Sequence, residues 1–234
     1  MDFSYNMSTR LPSGVFCGAQ SIPSSNSYDS IRLRLRKDPD LQHLAQTVVE
    51  LPALWSSLTD THAFCDASVG DPLKSFSDWI ASDDPGSLTI PESLPNVLLA
   101  PLTVVFQLVQ YTRYLREQHH AAISHAQILQ SVSSPGAGVQ GLCTGFLTAT
   151  ALACSRDLDE VNTNGAVAIR LAMCIGAAVD AEERKMEGGN RTQCLVANGS
   201  PHLDRREVMA ALEQYPRVCF RKKNYGLPEL TPVA

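Results

Sequence analysis

Apolar residues in this chain recur mostly at helical spacing. Over 96–118, Leu98, Leu102, Val105 and Val109 repeat at three- and four-residue intervals, with Leu99 and Phe106 alongside. That spacing predicts an amphipathic helix that serves as core scaffold. Pro101 suits its first turn, and Arg113 and Arg116 suit its C-terminal end. Residues 31–36 and 41–51 carry the same spacing, interrupted by Asp38-Pro39-Asp40, with Asp40 as the expected N-cap of the second piece. The basic cluster Arg32, Arg34, Arg36 and Lys37 reads as a solvated helix face. The preceding 21–30, rich in Ser, Asn and Pro, reads as loop. Two further helices are expected over 146–154 and 161–179. In the second, Val161, Val167, Ala168, Leu171, Ala172, Ile175 and Val179 read as one apolar face.

Strand signals are fewer. Val15-Phe16-Cys17 is a short apolar run closed by Gly18, and the turn-forming stretch 131–138 delivers the chain into Val139-Gln140-Gly141. Residues 181–190 are charged and end in glycine, which marks a boundary. Beyond it, an apolar segment at 194–197, a helical pattern at 203–214 and Val218-Cys219-Phe220 read as β-α-β. The expected organisation is a flexible lead-in over 1–14, an α/β subdomain over 15–187 and a smaller segment over 193–234.

Composition narrows the function classes. With 44% hydrophobic and 18% charged residues, the 234-residue chain is globular rather than disordered, coiled-coil or collagen-like. Its net charge is -5 and it has no Lys/Arg stripe, so no nucleic-acid partner is expected. The apolar runs 97–109 and 166–179 are interrupted by Pro101, Gln107 and Arg170. They fall short of the roughly 20 apolar residues a membrane span needs, so no membrane partner is expected. Seven cysteines without a CxxC pair, and no signal peptide, point to reduced thiols in the cytoplasm and to no metal site.

One local motif carries chemistry. In Gly141-Leu142-Cys143-Thr144-Gly145 two glycines bracket a nucleophile, the pattern of a strand turning sharply into a helix with the nucleophile at the apex. Side chains at the glycines would collide with the neighbouring strand and helix. A helix N-terminus favours the thiolate form of a cysteine, and the N–H of Thr144 is placed to receive an acyl oxyanion. The reaction class is acyl transfer through a thioester on Cys143. Cys154 and Cys174 read as core, and Cys17 as a strand residue beside the site.

The stretch Val139-Gln140-Gly141-Leu142-Cys143-Thr144-Gly145-Phe146-Leu147, with 153–157 and 166–172 after it, resembles the starter-unit acyl-carrier-protein transacylase (SAT) domain of fungal non-reducing polyketide synthases. Residues 15–20 (VFCGAQ), 51–55 (LPALW), 95–114 and 124–126 (SHA) extend the likeness in order over about 15–182. The resemblance implies an acyltransferase-type, α/β-hydrolase-like large subdomain with a ferredoxin-like small one, left partial here. It implies that Cys143 takes an acyl starter from CoA or a partner synthase's carrier protein and passes it to an acyl carrier protein. No tightly bound cofactor is expected, and the resemblance implies acyl-CoA or a phosphopantetheine-linked acyl group as the substrate. Backbone N–H groups of Thr144 and Gln20 would form the oxyanion hole. Arg170 stands where related malonyl transferases hold a substrate carboxylate, although a structural role for it is the stronger expectation.

The family's general-base histidine lies downstream of the small subdomain, and the sequence ends at Ala234 before that segment. The resemblance is therefore to a SAT domain truncated at its C-terminal side. A catalytically impaired, docking-only remnant is the alternative expectation. His125 precedes the elbow and is not the family's base; His119, His120 and His202 read as solvent-facing or capping residues.

Overall fold

A computed structural model describes residues 11–19, 25–61, 70–82, 94–117, 123–134 and 137–187. Gln20, His119, His120, His202 and the expected β-α-β segment over 193–234 lie outside the described residues. The chain divides into two compact units, Met1–Ala181 and Glu182–Ala234. The described elements belong to the first, with the last helix running on to Glu187.

The class is α/β, mostly helical, built on a small parallel sheet. Strand β1 (Gly14–Cys17) is followed by helices α1 (Ser25–Lys37), α2 (Gln42–Thr61), α3 (Gly70–Ala81), α4 (Asn96–Glu117) and α5 (His125–Ser131). Strand β2 (Gly138–Gly141) then leads into α6 (Gly145–Ala153) and α7 (Leu158–Glu187). The strands pair in parallel, with Val15 opposite Val139 and Cys17 opposite Gly141. Helix α6 packs on both strands, and α4 packs on α6.

Helix α4 is the central scaffold its spacing predicts. Leu102, Val105 and Val109 are buried, and so are Val104, Leu108 and Leu115 around the rest of its circumference. Pro101 sits one turn deeper than expected, at the sixth helical position. The start of α4 is held by a residue distant in sequence. Asp180 of α7 accepts from the Asn96 and Val97 amides at 2.8 and 2.9 Å and from the Asn96 side-chain amide at 2.9 Å. A carboxylate at a helix N-terminus satisfies amides that have no partner within the helix and complements its dipole.

Several local expectations need correction. Residues 25–30 are helical, not loop, and open α1. Arg32 is buried rather than solvated. It donates to the carbonyls of Trp79 and Ser82, and Arg36 also donates to Ser82, so two cations meet the C-terminal end of α3. Asp38, not Asp40, is the cap: its carboxylate accepts from the Asp40 amide at 3.0 Å and opens a 3-10 turn over Pro39–Leu41. Arg116 reaches back from α4 to both Asp38 and Asp40, closing the junction between α1 and α2. Helix α2 runs through Pro52 to Thr61, beyond the expected end.

Helix α7 also differs from its pattern. It continues through the expected boundary at 181–190 as far as Glu187. Val161, Ala168 and Ala172 are buried as expected, whereas Val167, Leu171, Ile175 and Val179 form an exposed row at four-residue intervals. The small residues decide which side goes inward. A Cβ on Gly176 would stand 2.1 Å from the Asn96 carbonyl oxygen, and one on Gly165 would meet Leu108 at 2.7 Å. By length and composition, residues 158–182 are apolar enough to cross a membrane, but half of the most apolar stretch is buried inside the protein.

Candidate active site

The turn that follows β2 is built from backbone contacts. The Leu142 amide donates to the Cys17 carbonyl across the sheet at 2.9 Å. The amides of Gly145, Phe146 and Leu147 then donate to the carbonyls of Leu142, Cys143 and Thr144 at 3.0–3.1 Å, turning the strand into α6 within four residues. Both flanking glycines are required by space. A Cβ on Gly141 would lie 2.4 Å from the Phe146 Cα, and one on Gly145 would lie 2.2 Å from the carbonyl oxygens of both Cys17 and Gly18. The expected collisions with the helix and the neighbouring strand are thus found at 141 and 145 respectively.

Cys143 sits at the apex with φ 56°, the one described non-glycine residue of positive φ. This left-handed conformation costs an L-residue on the order of 1–3 kcal/mol and persists only where surrounding structure imposes it. Here two immovable backbone contacts impose it. The thiol is exposed, and Sγ lies 3.9 Å from Thr144 Oγ1. Thr144 is the N-cap of α6. Leu142 and Phe146, before and after Cys143 in sequence, are 40% and 64% exposed, so the turn presents apolar side chains to solvent.

The other described cysteines separate by environment. Cys17 is buried in the core, where desolvation pushes its thiol up to about 11. Cys154 is exposed at the end of α6, not in the core as its helical pattern suggested, because it falls on the C-cap. Cys174 is half-buried. No cluster of three or more metal-ligating side chains occurs among the described residues.

His125 is only 3% exposed and both of its ring nitrogens are engaged. Nε2 lies 3.1 Å from the Ser155 carbonyl, which can only accept, so Nε2 carries the proton. Nδ1 then accepts from the Tyr111 hydroxyl at 2.6 Å. Desolvation lowers the pKa of the imidazole, and the hydrogen bond to Ser155 partly opposes that shift. The ring is a neutral structural link among α4, α5 and the end of α6.

Arg170 points away from this chemistry toward α2, where its guanidinium meets the Glu50 carboxylate at 3.3 Å on a partly exposed surface. Of its two expected roles, the structural one has a partner. A contact that motif reading missed is supplied by Gln107. Its Nε2 donates to the Gly18 carbonyl at 2.8 Å, at the end of β1 beside Gly145. The sequence signal was a lone amide inside the apolar run of α4.

Residues 91–217 match the family described as "Starter unit:ACP transacylase in aflatoxin biosynthesis". The chain is 42% identical over 216 residues to the non-reducing polyketide synthase spyA of Aspergillus fumigatus, covering 91% of this chain and 12% of that protein. It is 40% identical over 208 residues to the non-reducing polyketide synthase esdpA of Penicillium shearii, with 88% of this chain and 9% of the relative covered. It is 36% identical over 206 residues to a 5-methylorsellinic acid synthase of Aspergillus terreus, with 87% and 8% covered. The chain thus spans about a tenth of the length of these relatives. With a family match across more than half of its residues, the chain belongs to the starter unit:ACP transacylase (SAT) family, whose relatives here are fungal non-reducing polyketide synthases.

Proposed function

We propose that the chain is a starter-unit acyltransferase of the malonyl-transferase type with Cys143 as its nucleophile. The observation that carries this reading is an exposed thiol held at φ 56° on a strand-to-helix turn whose glycines leave no space for side chains. Family membership supports the acyl-transfer chemistry.

In the first half-reaction the Cys143 thiolate attacks the carbonyl carbon of an acyl thioester carried by CoA or by a partner synthase's carrier protein. The Sγ–C bond forms and the carbonyl oxygen becomes an oxyanion. The backbone N–H of Thr144 and that of Gln20 are its donors. Collapse of the adduct expels the donor thiolate, which takes up from solvent the proton that Cys143 released. The second half-reaction is the same exchange in reverse: a phosphopantetheine thiolate on an acyl carrier protein attacks the acyl group, and the Cys143 thiolate leaves. Thiols and protons balance, so no tightly bound cofactor is needed. The apolar side chains of Leu142 and Phe146 suit an acyl chain entering beside the thiol. Arg170, already facing Glu50, is assigned to structure, in keeping with a neutral acyl group. Free thiols at all four described cysteines fit a reducing, cytosolic setting.

The test is a two-stage transfer. The protein is incubated with S-acetyl-N-acetylcysteamine, its intact mass measured, and phosphopantetheinylated acyl carrier protein added. An adduct that moves to the carrier supports the acyltransferase. An adduct that stays supports instead a SAT-like remnant that docks a carrier protein or synthase without turnover. No adduct contradicts the chemistry altogether.

A further inference from the structure

Gln107 is anomalous in its surroundings. It stands on the central scaffold helix between Phe106 and the fully buried Leu108. An amide in that position loses hydration on burial and needs partners in return. Its Nε2 has one, the Gly18 carbonyl at 2.8 Å. Its Oε1 is buried and accepts from no group among the described residues. A leucine would fill the same space without leaving an acceptor unpaired, so core packing alone does not account for a glutamine.

What the amide does hold is informative. The Gly18 carbonyl oxygen stands where a Cβ on Gly145 would come within 2.2 Å of it, so this one carbonyl touches both α4 and the base of the nucleophile turn. The preceding carbonyl, that of Cys17, is already fixed by the Leu142 amide. Successive carbonyls at the end of β1 are therefore anchored to two different elements, the elbow and α4. Because the peptide unit is planar and trans, fixing the Gly18 carbonyl also fixes the Ala19 N–H on the opposite side of the same plane. A peptide released from Gln107 loses the side-chain hydrogen bond to its carbonyl and, among the described residues, is held by packing against Gly145 alone. A carbonyl oxygen turned toward the thiol would repel the negative charge that grows on an acyl oxygen during attack, whereas an N–H would not.

We propose that Gln107 is a positioning residue for acyl transfer, holding the Gly18–Ala19 peptide against the elbow so that the backbone beside Cys143 is ordered for an oxyanion. The inference rests on the acyltransferase reading above. It predicts a split between two reactions of the same thiol. Alkylation by iodoacetamide builds no oxyanion, whereas acylation by a thioester does.

The experiment compares the full chain with its Gln107→Leu and Gln107→Glu variants. Rates of Cys143 acylation by S-acetyl-N-acetylcysteamine and of Cys143 alkylation by iodoacetamide are read by peptide-resolved mass spectrometry. Gln107→Leu is expected to slow acylation by about tenfold or more, short of the full loss of an oxyanion donor, with alkylation within about twofold of the parent. Gln107→Glu supplies the second readout. Its carboxylate cannot donate to Gly18, but its protonated form can, so its acylation rate relative to the parent should recover as pH falls from 8 to 5.5. Unchanged acylation in both variants, or acylation and alkylation falling together with no recovery at low pH, overturns the proposal. If the parent is alkylated but never acylated at Cys143, the acyltransferase reading itself fails and takes this inference with it.

Discussion

Gly145 lies so close to Cys17 that a Cβ on the glycine would stand 2.2 Å from the cysteine's carbonyl oxygen. The first residue of α6 thereby touches the last residue of β1, and Cys143, two positions earlier, has to turn through a left-handed conformation. Closeness of this kind cannot relax, because the atoms that would have to move are backbone.

Gly145→Ala should therefore destabilise the protein by at least about 2 kcal/mol, the scale of overpacking against a rigid neighbour. Gly70→Ala, at a position with no atom within 4 Å of the added carbon, should change stability little. Thermal unfolding of the two variants side by side checks this. Equal melting temperatures would contradict the steric account of the elbow.

The contact between α7 and the start of α4 makes a second prediction. Asp180→Ala strips a carboxylate from three N–H donors at Asn96 and Val97. A loss of about 2–3 kcal/mol is expected, the range for buried hydrogen bonds to a charged partner. Denaturant titration at constant m-value measures it, and a loss below about 0.5 kcal/mol, the scale of an ordinary surface change, would refute the capping role.

Burial of His125 makes stability fall with acid. The folded-state imidazole has a lowered pKa, so it stays neutral where the unfolded-state imidazole, near pH 6.5, already takes up a proton. Below that pH the unfolded state binds more protons, and stability is lost progressively as pH drops toward the folded-state pKa. The fall in melting temperature between pH 7.5 and 5.5 should be smaller in His125→Gln than in the parent. Parallel slopes would remove His125 from the account.

Arg170→Ala should matter little. Its pair with Glu50 is partly exposed, and such pairs contribute about 0.2–1 kcal/mol. Acylation by a neutral thioester should be unchanged. A tenfold rise in KM for that neutral thioester would return Arg170 to the substrate site.

Much of this site was readable in the sequence because its logic is local. Gly141, Cys143 and Gly145 are spaced for one turn, and the collisions that demand glycine are with the adjoining helix and strand. The course of α4 was legible for the same reason, its apolar period being long and unbroken. What escaped was set by distant partners. Arg32 looks like one charge of a solvated row until the C-terminal carbonyls of α3 are brought to it. Asp180 falls between the predicted helix 161–179 and the charged stretch that begins at 181, and its partners at Asn96 and Val97 are 84 and 83 residues away in sequence. The apolar positions of α7 read as a single face, and the close approaches at Gly165 and Gly176 turn only part of it inward, leaving Val167, Leu171, Ile175 and Val179 exposed. Gln107 had no motif; its role depends on a carbonyl 89 residues away.

The central claim is that Cys143 accepts an acyl group. The most direct measurement is peptide-resolved mass spectrometry after exposure to an acyl thioester, on the parent and on Cys143→Ala. Cys154 serves as an exposed thiol of ordinary backbone, and Cys17, buried with its thiol raised to about 11, as an unreactive one. The account predicts an acyl adduct on the peptide carrying Cys143, none on Cys17, and loss of that adduct in Cys143→Ala. Acyl mass found on Cys154 instead, or undiminished in Cys143→Ala, would contradict it.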